Sequence, residues 1–185
     1  QTKQKDIFTA VFSEDGLSYS NETPLGFPVD QNEIAWGVPD AVLMPNGLVR
    51  VYWVYTEDKT SDEKLVSATS KTTKGVEFVM DPGYRLENGY VDFEVIRAVE
   101  GDWKALMSYT PHYMPEIPQS LFYATSKDGL NWDLIEERIT PKGYSYFDPT
   151  AIQIDDKNFL VVGSAAPNTL GAREHILFAA ELVLP

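Results

Sequence analysis

Ser126-Lys127-Asp128-Gly129-Leu130-Asn131-Trp132 decides how this chain is read, because the same pattern occurs twice more. Ser13-Glu14-Asp15-Gly16-Leu17-Ser18-Tyr19 repeats it closely, and Ser70 through Gly75-Val76-Glu77-Phe78 repeats it loosely. The three serines stand at 13, 70 and 126, intervals of 57 and 56 residues. A second series keeps the same beat: Asp40-Ala41-Val42-Leu43, Asp92-Phe93-Glu94-Val95 and Asp148-Pro149-Thr150-Ala151. A constant period of this size marks a stacked repeat, each repeat being one supersecondary unit.

Within the repeats the apolar stretches are short, rich in Val, Ile, Tyr, Phe and Trp, and bounded by Gly, Pro, Asn and Asp. That is strand-and-turn language, and helical periodicity is almost absent. A first strand is expected at the aspartate (41–44, 93–98, 150–154), then a tight turn at Pro45-Asn46-Gly47, Glu100-Gly101-Asp102 or Asp155-Asp156-Lys157-Asn158. Second strands follow at 48–55, 103–109 and 158–164, and third strands at 64–70, 120–126 and 175–182. The Ser-x-Asp-Gly turn then leads to a short fourth strand ending on Tyr19, Phe78 or Trp132. Four antiparallel strands per unit predict an all-β fold, a β-propeller of four-stranded blades.

The expected blade pieces are 6–20 (third and fourth strands only), 40–80 and 92–136 (whole), and 148–184 (strands one to three), in a single propeller-type domain over 1–185. That makes about three-plus blades, short of the roughly four to eight of a closed ring. The chain is then a piece of a longer propeller, or is completed by a second chain, or forms a small, open ring. An open blade exposes an apolar sheet face, so a homo-oligomer or a completing chain segment is expected as partner.

Composition narrows the function classes. A formal net charge of −13, with the acidic residues scattered, argues against nucleic acid and against an anionic membrane surface. The absence of cysteine excludes disulfides, thiolate chemistry and cysteine-ligated metals. His112 and His175 are too few for a multi-histidine metal centre.

Leu121–Trp132 resembles a turn common in carbohydrate-active propellers: the five-bladed glycoside hydrolases of the arabinanase/xylosidase type (family 43) and the invertase-like type (family 32). It is also close to the Asp-box of sialidases, which has one more residue between the Asp and the Gly. Phe147-Asp148-Pro149-Thr150-Ala151-Ile152, and Pro39-Asp40-Ala41-Val42-Leu43 with Asn46-Gly47, resemble the Asp-led inner strands of the five-bladed group. The turn itself reads as structural, its Ser and Asp tying down backbone amides and its Gly taking the left-handed conformation.

The resemblance implies a fold of the five-bladed type, a carbohydrate ligand, and a secreted or periplasmic location. Catalytic carboxylates would open inner strands, where blades converge; glycoside hydrolysis needs one protonated as acid and one ionised as base or nucleophile. Asp40, Asp92 and Asp148 are read as equivalent positions of three repeats, with Asp40 as base and Asp92 or Asp148 as modulator of the acid's pKa. Glu94, two residues after Asp92, is the candidate acid. Substrate-binding candidates are Trp36, Tyr90 and Tyr146 as ring platforms, with Tyr144 beside them, and His112 and Arg97. No cofactor is assigned, although converging carboxylates would suit a hard ion such as Ca²⁺. The segments that carry the acid in family 43 and the Trp-x-Asn-Asp-Pro-Asn of family 32 have no counterpart here. A non-catalytic interaction scaffold and a sugar-binding pseudoenzyme therefore stand beside the glycoside hydrolase reading.

Overall fold

The computed structural model describes residues 6–27, 37–57, 61–109, 119–168 and 174–185. Among them every regular element is a strand, and the strands form four antiparallel sheets in chain order. The first sheet pairs β1 (Phe8–Phe12) with β2 (Tyr19–Pro24). The second is β3 (Asp40–Leu43), β4 (Val49–Tyr55), β5 (Lys64–Ser70) and β6 (Phe78–Met80). The third is β7 (Tyr90–Val99), β8 (Asp102–Tyr109), β9 (Ser120–Ser126) and β10 (Trp132–Ile135). The fourth is β11 (Tyr144–Gln153), β12 (Asn158–Pro167) and β13 (Ile176–Val183). This is a partial propeller of three-plus blades, as the period predicts.

Successive sheets pack face to face through their middle strands. Val51, Trp53 and Val66 of the second sheet meet Ile7, Leu25 and Phe27 near the first, with Trp53 fully buried and stacked on Phe27 at 5.7 Å. Tyr52, Val42 and Leu65 meet Phe93, Trp103 and Met107 of the third sheet. Ile96 and Leu106 meet Phe159, Val161 and Leu184 around the fourth. Among the described residues the outer sheets have no such neighbour on their far sides: Phe12, Tyr19, Leu177 and Val183 are exposed, Leu177 at 84%.

The Ser-x-Asp-Gly turns tie themselves down as their residues imply. Ser126 Oγ accepts the Gly129 amide at 2.9 Å, and Asp128 Oδ1 accepts those of Leu130 and Asn131 at 2.8 and 2.9 Å. Burial works against the Asp128 charge, but these amides and the Asn131 side chain hold its pKa down to about 2. The neighbouring blade clasps the same turn: Tyr52 Oη donates to Gly129 O at 2.7 Å, and Arg50 Nη1 donates to Asp128 O at 2.8 Å. In the first copy Asp15 Oδ1 accepts the Leu17 amide at 3.0 Å, and among the described residues nothing lies within 4 Å of a Cβ built on Gly16.

Candidate functional site

The inner strands β3, β7 and β11 lie side by side, and their carboxylates bond across the blade junctions. Asp40 Oδ2 accepts the Val95 amide at 2.9 Å. Asp92 Oδ2 accepts the Asp148 amide at 3.3 Å, and Thr150 Oγ1 donates to Glu94 Oε1 at 2.9 Å. Four of the candidate residues are thus brought to one series of junctions.

Their levels differ from the sequence alignment. Asp40 pairs with Tyr52, Glu94 with Leu106 and Thr150 with Val162. Those middle-strand residues in turn face Ser67, Tyr123 and Ala179, each 56 residues from the next. Asp40 therefore stands level with Glu94 and Thr150, not with Asp92 and Asp148. The partners of Asp92 and Asp148 are two residues earlier, at Val38. All three share a left-handed backbone, with φ of 42° at Val38, 49° at Asp92 and 47° at Asp148. In β7 and β11 the position lies in a β-bulge, between Val91 and Glu94 and between Phe147 and Thr150. Each bulge inserts one residue and re-aims the side chain that follows. The sequence held the signal, since Pro39 matches Pro149 once the offset is applied. Aligning on the aspartates concealed it.

Two like-charge pairs result. At the upper level Asp40 of one blade meets Glu94 of the next; at the bulge level Asp92 meets Asp148. Burial, opposed by the Val95 bond and reinforced by Glu94, pushes the Asp40 pKa up to about 6. Burial and the Asp148 charge raise Asp92, against its bonds from the Asp148 amide and Ser108. Burial also raises Glu94, opposed by Thr150. Desolvation disfavours the ionised form of each group, and a neighbouring carboxylate adds to it at Asp40 and Asp92. A strained backbone repeated at adjacent junctions is characteristic of sites that need their side chains held in place. Ser108 and Thr150 are the partners that sequence reasoning missed; Thr150 could have been found from its 56-residue offset from Glu94. Replacing Thr150 with Val should raise the Glu94 pKa further while costing under about 1 kcal/mol of stability, since the bond is exposed. An NMR pH titration of the Glu94 carboxyl checks this.

The remaining candidates are placed as follows. Tyr90 stacks against Tyr109 at 4.7 Å, at the start of β7 before Asp92. Tyr146 packs edge-on to Phe178 at 5.3 Å and lies 6.5 Å from Tyr144. Arg97 is held at the hairpin end of β7, its Nε 2.6 Å from Asp102 Oδ2 and its Nη1 3.9 Å from Asp156 Oδ1. Trp36 and His112 lie outside the described residues. Among the described residues no group of three or more His, Cys, Asp or Glu is arranged to hold a metal ion. Asp155 is consumed by its turn, accepting the Lys157 and Asn158 amides.

Neither a protein-family profile nor a curated protein matches the chain. Solved structures do. β-1,2-Mannobiose phosphorylase from Listeria innocua, in complex with β-1,2-mannobiose, matches at TM-score 0.66 and 16% identity, over 97% of this chain and 50% of its own. A thermostable family-43 glycoside hydrolase matches at 0.65 and 15%, over 96% of this chain and 67% of its own. The endo-arabinase of Bacteroides thetaiotaomicron matches at 0.63 and 13%, over 96% and 75%. The chain spans about half the length of the phosphorylase. At these identities the likeness is one of fold: the chain has the architecture of the glycoside hydrolase propellers, as the turn and inner-strand motifs imply.

Proposed function

We propose that the chain is a carbohydrate-active propeller module that binds or hydrolyses a glycan where its inner strands meet. The observation that carries this reading is the pairing of Asp40 with Glu94 across a blade junction, both with raised pKa values. Two carboxyls held in different surroundings lose their protons at different pH, so over an intermediate range one is protonated while the other is ionised. That is the state glycoside hydrolysis requires, an acid for the leaving oxygen and a base or nucleophile on the other side. Asp92 and Asp148, one level away, would tune the pair by charge. Tyr90, Tyr146, Trp36, His112 and Arg97 complete the proposed substrate contacts.

The fold supports the same ligand class, because the solved neighbours include sugar complexes. The exposed apolar residues of the first and fourth sheets support completion of the ring by a second copy or by further blades; light scattering gives the mass that separates the two. The functional test is a set of arabino-, xylo- and manno-oligosaccharides, assayed for cleavage and by calorimetry for binding. Asp40→Asn and Glu94→Gln are the variants. Cleavage or binding by the parent that either variant abolishes supports the reading. Binding without cleavage marks a pseudoenzyme, and neither favours the interaction scaffold.

A further inference from the structure

Ser108 stands where three strands meet. It lies on β8 opposite Val91, the residue before the bulge that carries Asp92, and it is fully buried. Its Oγ donates to Tyr146 O of β11 at 3.1 Å, across the blade junction. It is also the side-chain partner of the Asp92 carboxylate. A serine hydroxyl carries one hydrogen, so it can donate to the Tyr146 carbonyl or to Asp92, not to both at once.

The charge of Asp92 decides between them. An ionised carboxylate only accepts, and its charge-assisted bond is stronger than one to a neutral carbonyl, so ionised Asp92 draws the hydroxyl hydrogen. Protonated Asp92 is itself a donor. It gives its hydrogen to Ser108 Oγ, and the hydroxyl hydrogen then goes to Tyr146 O.

The other charges around β7 are directed elsewhere. β4 meets this part of β7 through Val54 on Val91 and Tyr52 on Phe93, the two neighbours of Asp92, and β5 adds Leu65 to the Phe93 cluster. Their cations Arg50 and Lys64 bond to Asp128 O and Glu57. Asp102 and Lys104 of β8 lie with Arg97 at the hairpin end. On β3, Asp40 bonds one level away, at the Val95 amide. The charge that acts on Asp92 is that of Asp148 on β11, whose amide Asp92 accepts at 3.3 Å. β11 is therefore held at two adjacent points, Tyr146 O and Asp148 N, and both answer to one carboxylate.

We propose that Ser108 is a positioning residue, a proton-linked latch through which ionisation of Asp92 releases the β11 backbone at Tyr146. The latch stands on these contacts alone; its use, setting the Tyr146 platform for a sugar, rests on the glycan reading above.

The test is an NMR pH titration that follows the Asp92 and Asp148 carboxyl carbons, the Tyr146 carbonyl carbon and the Asp148 amide. In the parent chain the Tyr146 carbonyl is expected to shift at the Asp92 midpoint. Ser108→Ala should raise that midpoint, because a bond to the ionised form is lost, and should abolish the Tyr146 step. The Asp148 amide, bonded to Asp92 directly, should keep its step. A serine that only fills space would cost stability when removed and leave the midpoint and both steps in place. If Ser108→Ala fails to fold, Asp92→Asn decides, since asparagine accepts the left-handed backbone and cannot ionise. The Tyr146 step at that midpoint should then vanish. The inference is overturned if the Tyr146 carbonyl does not respond at the Asp92 midpoint in the parent, or if the response survives either substitution. The expected steps in a chain that binds none of the oligosaccharides would support the latch and remove the glycan reading alone.

Discussion

Replacing Gly129 with alanine is expected to destabilise the fold by about 2–5 kcal/mol, the sum of a left-handed backbone and an overpacked interface. Gly129 has φ of 69°, a conformation that a Cβ disfavours. The added Cβ would also come within 2.7 Å of Arg50 Nη1 and 2.8 Å of both Trp103 and Tyr52 Oη. Those atoms cannot easily retreat. Tyr52 is fully buried, and its hydroxyl and the Arg50 guanidinium are bonded to the turn itself. Gly16 is the internal control, because its φ is 71° and nothing lies within 4 Å of its would-be Cβ. Gly16→Ala should cost only the backbone share, about 1–2 kcal/mol. Urea denaturation of the two variants measures the difference, which is the steric contribution of the blade junction. Equal losses would show that the clasp yields and that the turn is not a rigid joint between blades.

Asp40→Asn should make the protein more stable at neutral pH and remove part of its pH dependence. The ordinary carboxyl pKa of 3.8 applies to the unfolded chain, whereas the folded value is about 6. Between those values the native state holds the proton more tightly, so stability falls as pH rises through the window and reaches its full loss above about 6. A shift of this size corresponds to about 3 kcal/mol, which partial solvent access reduces to about 1–2 kcal/mol. Asp92 and Glu94 are also raised, and contribute with the same sign. Asp128 acts oppositely: with its pKa lowered to about 2, its contribution is present above 3.8 and lost as pH falls towards 2. Stability should therefore peak in mildly acid solution. Asparagine keeps an oxygen for the Val95 amide but cannot ionise, so the variant should gain at pH 7 and match the parent near about pH 4. Denaturant midpoints at the two pH values give the answer. A variant less stable at pH 7 would mean that Asp40 serves the fold as an ionised acceptor, and the scaffold reading would gain. A more stable one has the signature of a residue retained at a cost to stability for what it does.

Each of these outcomes depends on contacts made between blades, and that is where the sequence and the structure part company. The strands and turns were legible because their causes are local. β5 and β9 fall on their expected spans, Lys64–Ser70 and Ser120–Ser126, because apolar runs end at a serine that begins a self-bonded turn. The repeat fixed four-stranded units by its period, and the likeness of the turn to carbohydrate-active propellers agrees with the fold of the solved neighbours.

Tertiary structure decided the level of each carboxylate. A one-residue bulge changes which side chains face each other, yet leaves only a shifted proline in the sequence, at Pro39 and Pro149. It also decided which acids lose their water. Asp40 and Asp15 are the same residue type, but Asp40 is raised by burial at a junction, whereas Asp15 is lowered by its own turn in solvent. The same holds for Arg85, whose burial no local pattern announces. Sequence determined the blades, because strand pairing and turn geometry are written in neighbouring residues. Only the packing of one blade on the next set the chemistry of the surfaces between them, because desolvation and charge coupling depend on residues some 56 positions apart.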